Sequence, residues 1–191
     1  MRNEENNIID IFKKSGALIT GHFKLSSGLH SGQYLQCALV LQEPVYAGQL
    51  GKAIAAKFKN DGITVVAGPA IGGIIIAHEA ARALGVRCIF GEREDSRMKL
   101  RRGFRVNPHD RILIVEDVIT TGSSLKELAD FITKAGGKIA GAASIIDRSK
   151  KDIDFGVKKE HLVKLDIKTF NPEECPLCQS NIPITKPGSR K

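Results

Sequence analysis

The chain has no tryptophan, two tyrosines and only 5% aromatic residues in a length of 191. Proteins that hold single-stranded nucleic acid by stacking bases on rings need more of them. Long apolar runs are also missing. Ile112–Val115 and Gly72–Ala77 are among the longest, whereas a bilayer span needs about 20 such residues. No membrane partner is therefore expected. The opening MRNEENNIID is polar and acidic where a secretory leader would be basic and then apolar. The expected location is cytoplasmic, where Cys37, Cys88, Cys175 and Cys178 would stay reduced thiols. There is no internal repeat. No Gly-Lys-Ser/Thr follows a glycine-rich turn, against a nucleotide triphosphatase, and no G-x-G-x-x-G opens a helix, against a dinucleotide fold.

What is present is enough for a core. Hydrophobic residues make up 42% and charged residues 26%, at a length that fits one domain with additions. Basic side chains outnumber acidic ones 29 to 21, a net charge of +8. Such a surplus favours anionic partners: phosphorylated metabolites, nucleic acid or acidic lipid. It is concentrated locally, since Arg93, Arg97, Lys99, Arg101, Arg102 and Arg105 crowd one short stretch.

Apolar spacing predicts a helix over 7–14, a polar glycine-rich loop over 25–32, a strand over 34–41 and a helix from Pro44 to about 60, with Val45, Leu50, Ile54 and Phe58 inward. A rhythm follows. Short β-branched runs at 63–67, 86–90, 111–115 and 139–146 alternate with helices over about 74–84 and 123–135. Buried strands alternating with helices predict an α/β fold with a parallel sheet covered on both faces. Ligands of such sheets bind beyond the carboxyl ends of the strands. Those ends are the loops at Gly68, Gly91, Glu116 and Asp147.

The segment Ile112-Leu-Ile-Val-Glu-Asp-Val-Ile-Thr-Thr-Gly-Ser-Ser-Leu125 runs from a greasy strand through two carboxylates into a hydroxyl-rich turn. Thr120, Thr121, Gly122, Ser123 and Ser124 can offer hydroxyls and backbone N–H groups to one anion, and the following helix adds the positive end of its dipole. Gly122 allows close backbone approach. Glu116 and Asp117 would repel a second phosphate and suit sugar hydroxyls or a divalent cation instead. An N-cap beside an exposed strand end would explain a shorter match, but not the whole unit.

Val115-Glu-Asp-Val-Ile-Thr-Thr-Gly-Ser123 resembles the phosphoribosyl-diphosphate (PRPP) motif of the type I phosphoribosyltransferase family. Three further segments resemble its orotate-using branch: Phe23-Lys-Leu-Ser-Ser-Gly-Leu-His-Ser-Gly-Gln-Tyr34, Gly68-Pro-Ala-Ile-Gly-Gly73 and Ile145-Ile-Asp-Arg148. The resemblance implies a type I core over 41–168 with a mobile loop near 92–105, a hood segment over 1–40 and an extended Cys/Pro tail over 169–191. It implies transfer of ribose 5-phosphate from PRPP to orotate with Mg²⁺, giving orotidine 5′-phosphate and diphosphate on the way to UMP. PRPP would meet Glu116, Asp117, Val118, Ile119, Thr120, Thr121, Gly122, Ser123 and Ser124. Diphosphate would meet Ala70, Gly72 and Gly73, and orotate would meet Thr120, Arg148 and Tyr34. Arg93, Lys99 and Asp117 would serve catalysis. Mg²⁺ would ride mainly on PRPP oxygens, without dedicated protein ligands. The loop would serve a neighbouring subunit, making a homodimer with shared sites. No nucleic-acid partner is implied.

Two departures stand out. Ser26 occupies a place where many members carry Lys, and the loop Glu92–Gly103 lacks the Lys-x-His common there, leaving Lys99 as the candidate lysine. Arg148 has a plain alternative as half of a surface Asp-Arg pair, and Tyr34 as a core tyrosine. A purine phosphoribosyltransferase and a PRPP-sensing nucleic-acid regulator are the competing functions. Cys175-Pro-Leu-Cys178 is a lone C-x-x-C whose nearest histidine along the chain is His161. Without a second ligand pair, thiols or a reducible disulfide are favoured over zinc. The prolines at 172, 176, 183 and 187 predict an extended tail, and 186–191 is expected to be without order.

Overall fold

The computed structural model describes residues 2–25, 27–95 and 97–186. Ser26, noted above as a departure, and nearly all of the stretch expected to lack order lie outside the described residues. In chain order the elements are α1 (Arg2–Lys14), β1 (Leu18–Lys24), β2 (His30–Leu35), α2 (Cys37–Leu41), α3 (Pro44–Phe58), β3 (Val65–Pro69), α4 (Gly72–Leu84), β4 (Arg87–Glu94), β5 (Arg97–Leu100), β6 (Arg111–Ile119), α5 (Ser123–Lys134), β7 (Lys138–Asp147), β8 (Lys159–Lys164) and β9 (Thr169–Phe170). A 3-10 turn, Pro172–Glu174, and the short helix α6 (Pro176–Gln179) follow.

Six strands form the central sheet in the order β5-β4-β3-β6-β7-β8. All neighbours are parallel except the β4–β5 pair. β3 and the central parts of β6 and β7 are continuously apolar and buried because both faces are covered there. Val66, Leu113 and Val115 point into one core with Ile8 and Phe12 of α1, Leu50, Ile54 and Phe58 of α3, and Ile76 and Ala80 of α4. Val65, Ala67, Ile112 and Ile114 point into the other, against Leu125, Leu128 and Ile132 of α5. The fold is the expected α/β sandwich of a mostly parallel sheet between helices.

Several boundaries differ from those expected, each for a physical reason. The stretch 34–41 is not one strand: β2 ends at Leu35, and Cys37, Val40 and Leu41 are buried together at helical spacing in α2. Val45 is 70% exposed on the first turn of α3, away from the buried stripe through Leu50, Ile54 and Phe58. β6 continues to Ile119 because Val118 and Ile119 pair with Ile146 and Asp147 of β7. Glu116 and Asp117 therefore lie on the strand and not beyond it. The charged stretch after Gly91 begins as a hairpin in which Glu92 faces Lys99 and Glu94 faces Arg97. An edge hairpin with polar side chains carries no helical or core period, so its pairing left no apolar signal.

A second sheet, β1-β2-β9, is antiparallel and joins both ends of the chain. The tail is not extended, since the 3-10 turn and α6 coil its first half, each with proline in its first turn.

Gly68, at the end of β3, sets how closely the next turn returns. A Cβ there would lie 2.5 Å from the Gly73 carbonyl oxygen and 2.8 Å from Ala77 Cβ. Backbone cannot rotate away as a side chain does. Gly68→Ala should therefore lower unfolding stability by about 1–3 kcal/mol. Urea unfolding of the two proteins checks this.

Candidate active site

The site is assembled at the carboxyl ends of β3, β4, β6 and β7. β6 delivers Glu116 and Asp117 in register with Ser144 and the residues before Ile146 of β7. Beyond its end, Gly122 adopts φ +73° and caps α5 without any side-chain cap. The turn is organised by its own hydroxyls: Thr121 Oγ1 and Ser123 Oγ lie 3.0 Å apart, and the Ser123 N–H donates to Thr121 Oγ1 at 3.4 Å. The first turn of α5 carries no acidic residue, so its dipole end faces the turn uncompensated. Val118 is half-buried, and Ile119 is 1% exposed with its side chain in the core. Ile119 can meet a ligand only through backbone, and its carbonyl already accepts from the Arg148 N–H at 2.8 Å.

The loop after β3 reaches the acidic pair directly. A Cβ on Gly72 would stand 2.7 Å from Asp117 Oδ1. The Ala70 N–H donates to the Gly91 carbonyl at 2.7 Å, and the Ala70–Ile71 peptide is cis. Ala70, Gly72 and Gly73 thus share one side of the site with Asp117.

Burial, then the neighbouring Asp117 charge, push the Glu116 carboxyl up to about 7, against a hydrogen bond from Ser124 and the Arg93 charge. Burial likewise raises Asp117, opposed by backbone N–H donors. Arg93 therefore belongs to the same electrostatic neighbourhood as the acids, and it also pairs with Glu127 of α5 at 2.8 Å. Lys99 does not join them in this chain. Its Nζ is 2.5 Å from Glu94 Oε2, and it lines a 390 Å³ hollow with Glu127, Asp130 and Phe131.

On the other side of the turn lies a cleft of about 450 Å³ lined by Leu29, Thr120, Thr121, Arg148, Ser149, Lys150, Lys151, Ile153, Asp166, Ile167 and Thr169. Arg148 is half-buried, its pKa lowered by burial, and its Nε has no hydrogen-bond partner. Asp147 does not pair with it as a surface couple. Burial alone would raise the Asp147 carboxyl, but hydrogen bonds from Ser149 and Lys164 outweigh it and hold it at about 2. Tyr34 is not in this lining and tilts against Phe23 with ring centroids 5.7 Å apart. Lys150, Lys151, Asp166 and Thr169 were not foreseen as site residues. The basic pair after Arg148 was the one signal that pointed to them.

The tail cysteines also find partners other than the expected one. His161 lies 3.9 Å from Asp147 Oδ2. The histidines beside Cys175 and Cys178 are His22 and His30, and both cysteines are free thiols.

A hydroxyl-rich turn at a helix start, two carboxyls on the adjoining strand and a glycine loop against them are brought together at one end of the sheet. The phosphoribosyl transferase domain profile matches residues 42–173, and the chain belongs to this family. The orotate phosphoribosyltransferase of Pelotomaculum thermopropionicum is 53% identical over 186 residues, covering 97% of this chain and 98% of that protein. That of Caldanaerobacter subterraneus subsp. tengcongensis is 53% identical over 188 residues, covering 98% and 99%. In the crystal structure of orotate phosphoribosyltransferase from Aeropyrum pernix the fold recurs with a TM-score of 0.70 at 23% identity, over 83% of this chain and 93% of that one.

The raised Glu116 carboxyl makes folding pH-dependent. Its stabilising contribution is complete below the unfolded value of 4.5 and is lost as pH rises through about 7. Without ligand, Glu116→Gln should therefore gain about 2–3 kcal/mol more relative to the parent at pH 8 than at pH 4. Urea unfolding of both proteins at the two pH values measures the difference.

Proposed function

We propose that the chain is an orotate phosphoribosyltransferase: it transfers ribose 5-phosphate from PRPP to orotate and releases diphosphate. The observation that carries the choice of base is Arg148. Its buried Nε lacks a partner, and it lines a cleft bounded by Thr120 and Thr121 of the phosphate turn. A guanidinium fork matches a planar carboxylate with two parallel hydrogen bonds. Orotate has that carboxylate and purine bases do not. Curated relatives at 53% identity carry the same activity in their names.

The roles follow from charge. The Thr120–Ser124 turn takes the 5′-phosphate on backbone N–H groups, hydroxyls and the α5 dipole. Glu116 and Asp117 accept from the ribose hydroxyls, which orients the anomeric carbon and favours positive charge developing on the ring. An acid held near 7 is readily ionised by such donors, since hydrogen bonds to a carboxylate lower its pKa. Ala70, Gly72 and Gly73 let the diphosphate approach the backbone closely. Arg93 offsets the charge that gathers on the leaving diphosphate.

The oxygen donors on β6, with a glycine backbone pressed against Asp117, fit a hard cation such as Mg²⁺. Glu116 and Asp117 would stand beside such an ion, which would supply positive charge against the diphosphate when bound. Lys99 is engaged with Glu94 within its own hairpin and not with Glu116 or Asp117. That placement supports a homodimer in which the hairpin closes over the partner's site and excludes water. Charge concentrated on such a hairpin needs no nucleic acid to account for it. No helix of the described residues is long and apolar enough to cross a membrane.

Arg148→Ala should lower kcat/KM for orotate by roughly fiftyfold or more, as expected for a lost charge-assisted contact. PRPP affinity should change little, because the phosphate turn lies in another loop. Orotate kinetics and PRPP binding on the same variant decide. A collapse of PRPP affinity with orotate affinity intact overturns the assignment.

A further inference from the structure

The tail is an unusual part of this molecule. From Asn171 to Lys186 only Cys175 is buried. So little apolar burial does not hold a segment in place, and small elements without a core are commonly stapled by a disulfide or a metal. The two tail cysteines form no disulfide. Instead they meet two histidines brought from about 150 residues away by the β1–β2 hairpin.

The four ligand atoms lie within 4.8 Å of one another. His22 Nε2 is 3.0 Å from His30 Nδ1, 3.6 Å from Cys175 Sγ and 3.7 Å from Cys178 Sγ. Cys178 Sγ is 3.3 Å from His30 Nδ1. A tetrahedral ion bonded at about 2.0–2.1 Å to nitrogen and about 2.3 Å to sulfur separates its ligand atoms by about 3.3–3.8 Å. Three of the separations, 3.3, 3.6 and 3.7 Å, fall in that range, and the two histidine nitrogens are closer, at 3.0 Å.

The tautomer of His22 is fixed by its other nitrogen. His22 Nδ1 lies 2.8 Å from the Ile182 carbonyl. A carbonyl only accepts, so Nδ1 carries the proton and Nε2 turns a lone pair toward the cysteines. Metal-bound histidines are ordinarily held this way, with the second nitrogen donating to a carbonyl or carboxylate. His22, His30 and Cys175 are all buried, at 3%, 6% and 0% exposure. The cysteines bracket the first turn of α6, where the Gln179 N–H donates to the Cys175 carbonyl at 3.1 Å. This is the tight knuckle that lets a C-x-x-C pair point both sulfurs at one centre.

We propose that His22, His30, Cys175 and Cys178 form a closed, four-ligand structural site for Zn²⁺. Two thiolates and two neutral imidazoles make a neutral complex with the ion, and the two thiol protons leave to solvent on binding. Two thiolate and two imidazole ligands in a tetrahedron select zinc over the hard cations that the sugar-phosphate site prefers. No position is left open for substrate, so the ion holds structure and does no chemistry. It ties the tail to the hood hairpin, where Thr185 already pairs with His22 and Lys24 through two backbone hydrogen bonds of 2.8 Å. Leu29, on the turn between the two histidine strands, lines the Arg148 cleft. The staple therefore steadies one wall of that cleft.

The test uses the full chain, expressed with zinc and purified under reducing conditions. Elemental analysis should find about one zinc per chain. After removal by a chelator, Co²⁺ alone should give thiolate-to-cobalt charge-transfer absorption and the visible bands of a tetrahedral ion, and added Zn²⁺ should erase both. The Cys175→Ser/Cys178→Ser chain, checked for folding by circular dichroism, should lose these bands and bind Zn²⁺ more weakly by roughly a hundredfold or more. Wild-type chain without zinc and without cobalt–thiolate absorption would overturn the site, as would a Cys175–Cys178 disulfide in reducing buffer. Unchanged zinc affinity in the double variant would overturn it equally, by placing the metal elsewhere. These readouts are independent of orotate turnover, so failure of the catalytic reading leaves them intact.

Discussion

Two carboxyls side by side on a buried strand are an electrostatic burden that the rest of this site is built around. Burial opposes the ionisation of both Glu116 and Asp117, and the Asp117 charge further opposes that of Glu116. Strand β6 holds them there because Val118 and Ile119 continue its ladder with β7. Ser124, Arg93 and backbone donors offset part of the cost without removing it. A ligand that brings several hydroxyls or a divalent cation supplies the rest. The hydroxyl-rich turn begins three residues after Asp117, which suits the proposed ligand, a sugar carrying a phosphate. The glycines at 68, 72 and 73 fit the same crowding, since a Cβ at Gly68 would meet the Gly73 carbonyl, one at Gly72 the Asp117 carboxyl, and one at Gly73 the Pro69 ring and the Val115 carbonyl.

The chemistry-bearing strand and turn could be read in the sequence because they are contiguous: a run of apolar residues, two acids and a small hydroxyl turn. The alternation of β-branched runs and helices was equally local, and the parallel sheet followed from it. Boundaries were harder. Cys37, Val40 and Leu41 fit a strand by composition, and only their joint burial makes them a helix. The β4–β5 hairpin escaped notice because an edge pair with charged faces imposes no apolar period. Arg148 was visible beside the end of a strand, but the rest of its cleft comes from Leu29 and from residues 150–169. Those residues are brought together by topology, which no short window of sequence contains. The sequence had also offered Tyr34 for the base, and its ring lies against Phe23 instead.

The same limit hid the partners of Cys175 and Cys178. A C-x-x-C pair is half of a metal site, and the other half lies on a hairpin at the far end of the chain. His161, nearer along the sequence, faces Asp147. The two ends of the chain meet in the small sheet β1-β2-β9, so the hood is a joint product of both termini. Its turn at Leu29 contributes to the cleft while its far side receives the tail. One short hairpin thus carries both histidines of the tail cluster and, through Leu29, a wall of the Arg148 cleft.

The central claim is that this sugar-phosphate site uses a carboxylated pyrimidine. The most direct measurement incubates the protein with PRPP and Mg²⁺ and, separately, orotate, uracil, adenine or hypoxanthine, following base consumption and diphosphate release. Loss of orotate absorbance that requires PRPP, with diphosphate formed in equal amount and the other bases untouched, is the predicted result. Consumption of a purine base with orotate left unchanged would contradict the account.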